Sequence, residues 1–579
     1  MNNPLGVGSS LPEFGLAAAH PEVRSPSAVA VDRITAPADA WLSARWWWLV
    51  VTLGLALLAW LSLRFRPLIP VDETRYAAVA WEMWQHDSFL VPLLNGADYD
   101  HKPPLLFWLI HAGWWLGGVS DAWPRLIGPL SSLLCLWLLR CLGERLWPQR
   151  PAAARLGSLL FLTSTLVSFY QGALMFEMPL LACILWSWIA LHDALDSGAW
   201  RHWLSWGAAL GLGLLVKGPV VLLFALPPLL LSRLWSRPTR PRLATPRVAL
   251  AALLALALPL LWLLAAMADG SAEYFQRLLF DQTLHRVSGQ MGHPRPWYWY
   301  LPMLLPLALP WSLWPAAWRG WGAFIRERSV GQRFVLTAAV PAFALLSLIG
   351  GKQIHYLLPL LALAMLALGQ GLLIADHRPR VLDGWLPLLL ALPLVVAIPL
   401  TARLRTDSNL ALWLARVPTW TPWLLLAWPL ATLVMRRQRV PLAARNMAVA
   451  GVLASAALMW AAFPGIAPYF DLTPTADAIA RAQADGRPVL YVGNYQGEFG
   501  FLGRLREPVL GLPPDEANDW IQAHPDALVV VRDKRLQRGP EPLQPQSVQP
   551  FKTGQLQTFS AADLLASGSR VRDPERHRY

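Results

Sequence analysis

Pro104-Leu-Leu-Phe-Trp-Leu-Ile-His-Ala-Gly-Trp-Trp-Leu-Gly-Gly118 is a run of about 15 mostly apolar residues. As a helix it would reach ~22 Å, against a bilayer core of ~30 Å. Whether it crosses a membrane or lies along one decides the facing of every segment after it. The surroundings leave the membrane itself in no doubt: 55% of the 579 residues are hydrophobic and 15% are charged, where a soluble chain carries about 25% charge. Apolar runs of spanning length recur from Trp46 to Phe463, the pattern of a polytopic α-helical membrane protein. The first runs from Trp46 to about Leu63. Twelve more lie near 125–143, 154–173, 178–192, 203–216, 219–232, 248–267, 299–318, 334–350, 355–375, 385–402, 420–435 and 446–463, so about thirteen transmembrane helices are expected.

Charge decides the facing. If Pro104–Gly118 does not cross, the loops 144–153, 193–202, 233–247, 319–333, 376–384 and 436–445 share a side with the N-terminal tail. The third holds Arg233, Arg237, Arg240, Arg242 and Arg247, and the last holds Arg436, Arg437, Arg439 and Arg445, both without an acid. That is a positive-inside pattern, which a crossing at Pro104–Gly118 would invert. The stretch is therefore read as an interfacial or re-entrant helix buried against protein. Three domains follow: 1–44, a flexible cytoplasmic tail; 45–464, the transmembrane domain, with a first external loop at 64–123; and 471–579, a small α/β domain. In the last, helices are expected near Thr475–Ala484 and Pro514–Ala523, and strands at Val489–Val492 and Ala527–Val531.

The net charge of +13 sits mainly as arginine in short loops, which suits topology and anionic lipid and speaks against nucleic acid. Cys135, Cys141 and Cys183 have neither metal nor redox spacing and read as small core residues. No Gly-rich nucleotide loop lies on the cytoplasmic side. The oddly placed polar residues all fall on the external face. Val71-Asp-Glu-Thr-Arg-Tyr76 and Tyr99-Asp-His-Lys-Pro-Pro104 frame the first loop. Asp72 and Glu73 can act as general base, hold a metal or hold substrate hydroxyls, or they cap a helix starting near Thr74. Lys102, fixed by two prolines, and Arg75 suit a phosphate, or they snorkel to headgroups. Glu177 and Lys217 end spans and are each as readily interfacial as functional. Asp281, His285, Arg286 and His293 lie in the 269–298 loop, where the histidines are either metal ligands or part of an interfacial loop with an aromatic belt. Lys352 and Tyr356 are four apart and can meet one anionic headgroup from a single helical face.

Asp72-Glu-Thr-Arg-Tyr76, Tyr99-Asp-His-Lys-Pro-Pro104, Lys217-Gly-Pro219, His293-Pro-Arg-Pro-Trp-Tyr-Trp-Tyr300 and Lys352 followed by Tyr356-Leu-Leu-Pro359 together resemble bacterial GT-C membrane glycosyltransferases. Within that class they look like the lipid A aminoarabinose transferases (ArnT-like) and their protein O-mannosyltransferase relatives. The resemblance implies a sugar donor on a polyprenyl phosphate, such as undecaprenyl phosphate, used on the periplasmic face of the inner membrane with inversion. Lipid A, another envelope glycan or a protein Ser/Thr would be the acceptor. By motif match Asp72, with Glu73 and Glu177, would supply the acids. Arg75, Lys102, Lys217 and Lys352 would meet the donor phosphate. Tyr76, Tyr99, His101, Tyr356 and the 269–298 residues would line the cavity. No cofactor is required, although a divalent metal is compatible. Two positions depart from the family pattern: Glu177 stands where Asp is usual, and His101 where Glu precedes Lys-Pro-Pro. A lipid-linked sugar transporter is the rival reading, but it predicts mid-span polar residues and an inverted repeat.

Overall fold

A computed structural model describes residues 42–236, 246–269, 295–376, 378–404 and 415–572. The tail through residue 41 and the candidates Asp281, His285, Arg286 and His293 lie outside the described residues. The first helices are α1 (Ala44–Phe65), α2 (Asp72–Gln85) and, after a two-residue hairpin of β1 (Leu93–Leu94) and β2 (Ala97–Asp98), α3 (Leu105–Gly117). Next come α4 (Ala122–Leu146), α5 (Pro151–Leu162), α6 (Thr165–Tyr170), α7 (Glu177–Ser197), α8 (Trp200–Lys217), α9 (Val220–Leu230) and α10 (Pro246–Asp269). The rest of the bundle is α11 (Pro315–Arg326), α12 (Val330–Leu348), α13 (Leu358–Ile374), α14 (Val381–Leu404), α15 (Ala427–Val434) and α16 (Val440–Ile466).

Among the described residues, eight helices are long and apolar enough to cross a membrane, against the thirteen expected. The other five apolar segments are short, broken or, in α8, continuous but with polar ends at Arg201, His202 and Lys217. The run 154–173 stops at Thr163 and Ser164, whose hydroxyls bond back to the Leu159 and Leu160 carbonyls. The run 299–318 carries Pro302, Pro306, Pro310 and Pro315 and breaks into 3-10 turns before α11. The segments 203–216 and 219–232 become α8 and α9, and 420–435 begins as a 3-10 turn.

The stretch that decided the topology does form a short helix, α3. Its inner side is buried through Leu106, Phe107, Ile110, His111 and Trp114, while Trp115 and Leu116 are exposed. Its contacts are those of a helix lying on protein: His111 Nε2 donates to the Ala80 carbonyl of α2 (2.9 Å) and Trp123 Nε1 donates to the Leu109 carbonyl (2.9 Å). Ion pairs gather several of the loops expected to share a side at one end of the bundle. Arg145–Asp193, Arg150–Glu327, Arg319–Asp383 and Arg439–Asp376 each join two of the loops assigned to one side. Arg155 donates to the Leu42 carbonyl and ties the chain's described start to the same end.

The C-terminal unit opens with α17 (Thr473–Ala484), β3 (Val489–Val492), β4 (Leu510–Leu512), α18 (Pro514–Ala523) and β5 (Leu528–Arg532). It closes with β6 (Leu536–Gln537), β7 (Ser547–Phe551), β8 (Gly554–Ser560), α19 (Ala561–Ala566) and β9 (Arg570–Val571). Its main sheet has the order β4-β3-β5-β8-β7. The β4-β3-β5 half is parallel and the β5-β8-β7 half antiparallel. Both faces of β3 and β5 are buried, so these strands read as continuous apolar runs. The unit sits on the first loop: Asn95 exchanges two hydrogen bonds with Val509 (3.0 and 2.8 Å), Trp114 stacks on Phe501 (5.5 Å) and Arg504 pairs with Asp121 (3.0 Å).

Candidate active site

The first turn of α2 separates the two adjacent acids. Successive helical residues point ~100° apart. Glu73 turns inward, where it forms a buried ion pair with Arg66, and Arg66 also reaches the Gly172 carbonyl (3.4 Å). Asp72 turns outward, with 52% of its side chain exposed, and pairs with Arg75 one turn on. Neither acid caps the helix: Val71 holds that position without a side-chain bond, and Thr74 Oγ1 donates to the Val71 carbonyl (3.1 Å).

A second cluster forms where α7 begins and α8 ends. The two helices are antiparallel neighbours, so Glu177 and Lys217 meet at one end of the bundle. One oxygen of Glu177 accepts from Lys217 Nζ and lies 3.1 Å from His355 Nε2. The other is buried with no partner among the described residues. On the far side of the imidazole, Nδ1 meets the Tyr170 hydroxyl (3.2 Å). The Lys217 ammonium stands 5.0 Å from the centre of the Tyr356 ring, a cation–π contact. Charges so deeply buried persist only when paired and hydrogen-bonded, and Glu177 supplies both.

Aromatic rings bridge the clusters. Tyr99 meets Phe107 (6.3 Å), Phe107 meets Phe176 (5.8 Å) and Phe176 meets Tyr76 (4.9 Å), each edge to face. Phe176 directly precedes Glu177, and Tyr76 directly follows Arg75, whose guanidinium lies 5.6 Å from its ring. Burial, reinforced by Asp72, Tyr99 and Glu177, pushes the Tyr76 hydroxyl well above the ordinary phenol value, so it stays protonated. His101 lies 5.3 Å from the Tyr99 ring and 4.0 Å from the Asp100 carboxylate. Lys102 Nζ donates to the His101 carbonyl (3.3 Å) at the mouth of the loop.

The structure thus brings Asp72, Arg75, Tyr76, Tyr99, Glu177, Lys217 and Tyr356 around one place, with His101 and Lys102 at the rim. Glu73 serves the buried scaffold. Lys352 is also buried, and its Nζ donates to the carbonyls of Arg295 (3.0 Å) and Ile349 (2.5 Å), tying the chain at Arg295 to the start of the next helix. Sequence reading did not assign Tyr170, His355 or Gln496. His355 carried a signal, one residue before Tyr356, whereas Tyr170 reads as an aromatic belt residue. Among the described residues, no three His, Cys, Asp or Glu side chains are grouped so as to hold a metal.

Residues 101–264 match the family model described as dolichyl-phosphate-mannose-protein mannosyltransferase. The chain is similar to the undecaprenyl phosphate-alpha-4-amino-4-deoxy-L-arabinose arabinosyl transferase of Pseudomonas aeruginosa strain UCBPP-PA14, with 30% identity over 57% of this chain and 60% of that protein. The enzyme of the same name from Erwinia tasmaniensis is 31% identical over 58% of this chain and 61% of its own length. The matched region thus spans about 60% of these relatives. The crystal structure of ArnT from Cupriavidus metallidurans bound to undecaprenyl phosphate superposes with a TM-score of 0.71 at 19% identity, covering 89% of this chain and 98% of that one. Its apo form gives 0.70. At this identity the likeness is one of fold: the chain is a polytopic membrane protein with the ArnT-like form of the GT-C fold.

Proposed function

We propose that this chain is an inner-membrane glycosyltransferase that moves a sugar from an undecaprenyl-phosphate donor to lipid A, or to another envelope glycan, on the periplasmic face with inversion. The observation that carries the reading is the convergence, within an ArnT-like fold, of an outward-facing acid–cation pair (Asp72–Arg75) and a buried acid–cation cluster (Glu177, Lys217, His355) at the end of the bundle covered by the C-terminal domain. The leaving group is a lipid phosphate. It needs fixed positive charge as the glycosyl bond breaks, more than it needs a general acid. Arg75 pairs with the half-exposed carboxylate, Lys102 stands at the mouth of the same loop, and Lys217 supplies a third cation from the buried cluster. Glu177 holds that cation in place in the absence of donor. Asp72 orients the acceptor hydroxyl or phosphate and takes up its proton where one is released. The protonated Tyr76 donates a hydrogen bond toward the anionic centre.

The test is transfer from a lipid-linked sugar by the purified full chain. Asp72→Asn should lower the rate at saturating donor by ~100-fold or more, the scale of a lost general base. Full activity would remove Asp72 from this role. Because the matching family model is described by protein mannosyl transfer, the same assay should offer lipid A and a Ser/Thr peptide side by side. Mass spectrometry of lipid A with and without the gene product then fixes the acceptor.

A further inference from the structure

Gln496 belongs to the C-terminal domain, yet its side chain reaches the first turn of α2. Its Oε1 accepts a hydrogen bond from Arg75 Nη1 at 2.6 Å, while Arg75 Nη2 pairs with Asp72. The guanidinium is therefore held from two sides, by an acid on its own helix and by an amide 421 positions later in the chain. We infer that the C-terminal domain is part of the donor site, with Gln496 as the positioning residue that keeps the Arg75 guanidinium turned for a lipid phosphate.

The loop carrying Gln496 is built to hold that amide still. The Gln496 backbone N–H donates to Oε2 of the buried Glu498 (2.8 Å), and Tyr495 stacks on Phe499 (5.8 Å, 11°). Gly497 has φ +82, and a Cβ there would meet Leu94 at 2.4 Å and Ala78 at 3.4 Å, so the loop backbone lies directly on α2 and the hairpin. Ala78 is one turn beyond Arg75 on the same helical face. The helix face that presents Arg75 is thus the face on which the domain docks. Arginine's planar fork can give both Nη donors to one carboxylate. Without Gln496, both would be available to Asp72, and the guanidinium would turn away from the place the phosphate must occupy. Arg75 Nε is buried with no hydrogen-bond partner among the described residues, and the Tyr76 side chain is a further contact of the guanidinium.

The inference rests on the donor reading above, and the experiment separates the two. Binding of undecaprenyl phosphate to the purified full chain is measured, together with donor KM and kcat, for wild type, Gln496→Met, Arg75→Lys, the double variant and Asn95→Gly. Methionine keeps the length of glutamine without its acceptor. Asn95→Gly removes the Asn95–Val509 bonds at the same domain seam without touching Arg75. Gln496→Met should weaken binding and raise donor KM by roughly tenfold, the scale of one hydrogen bond to a charged group, with kcat changed far less. In the Arg75→Lys background it should add almost nothing, and Asn95→Gly should leave binding as in wild type. Full additivity in the double variant, or an equal loss in Asn95→Gly, would reduce Gln496 to a seam contact and overturn the inference. Unchanged binding in Gln496→Met overturns the inference while leaving the donor reading intact. A wild-type chain that does not bind undecaprenyl phosphate overturns both.

Discussion

Two glutamates show how the same side chain serves scaffold and site. Glu73 and Glu177 are both buried and both paired with a cation. Removing one partner of a buried pair strands the other charge and costs about 3–5 kcal/mol. Glu73→Gln strands Arg66, and Glu177→Gln strands Lys217. Both variants should therefore melt well below wild type in detergent, by that order of free energy. They should part in kinetics. Per folded molecule, Glu73→Gln should turn over nearly as wild type, because Glu73 faces away from Asp72. Glu177→Gln should bind donor more weakly, because Lys217 and His355 lose their common anchor. A Glu73→Gln enzyme that folds normally but has lost its chemistry would return Glu73 to the site. In sequence Asp72 and Glu73 are neighbours in one motif and look equivalent. Only the ~100° turn between helical neighbours, and an arginine six residues before Asp72, tell them apart. Gln496 gave no signal at all, since its partner is 421 positions away.

At the scale of elements, the C-terminal domain was half legible. Of the parallel half, α17, β3, α18 and β5 stand out because Gly486 and Pro488 precede β3 and because β3 and β5 are unbroken apolar runs, whereas the three-residue β4, with Gly511 at its centre, does not. The antiparallel half did not, because β7 and β8 bury Gln549, Gln557 and Thr558 and β7 contains Pro550, which hides the period-two pattern. The loop between β3 and β4 makes a further prediction. Burial pushes the Glu498 carboxyl above its ordinary value, against the pull of the Gln496 and Glu498 backbone N–H groups, Lys552 and Arg75. A carboxyl raised on folding contributes its full stability below the unfolded pKa and loses it as pH rises through the folded value. At neutral pH the buried charge is thus a burden on the docked loop. Glu498→Gln keeps an acceptor for the Gln496 N–H and removes that charge. It should melt above wild type at pH 7.5, with the gap narrowing as pH falls through the raised folded value and closed below about 4.5, the ordinary carboxyl value. A pH series of thermal melts checks this, and a gap that widened toward acid would reverse the sign.

For the molecule as a whole, the reading hung on whether α3 crosses, and hydropathy alone was mute there. The arginines carry that reading, because charge asymmetry is a property of the whole chain and not of one helix. What the sequence did not show was where the apolar runs break, since Thr163–Ser164 and the prolines of 299–318 interrupt helices without making the runs polar. Three of the four inter-loop ion pairs hold partly exposed groups, so each of those contributes only about 0–1 kcal/mol, whereas the Asp383 carboxylate of the fourth is buried. Their importance is positional: they fix five loops at one end, opposite the C-terminal domain. By the positive-inside rule, we propose that this end faces the cytoplasm and the candidate site the periplasm. A cysteine at exposed Arg439 and another at exposed Glu516 sample the two ends. Cys135 and Cys183 are buried and only Cys141 is partly accessible, so Cys141→Ser gives a quiet background. A membrane-impermeant maleimide added to intact spheroplasts should label Glu516→Cys and spare Arg439→Cys until the membrane is permeabilised. The opposite pattern would put the C-terminal domain in the cytoplasm and take the proposed lipid-linked donor away from the compartment in which the acceptor lies.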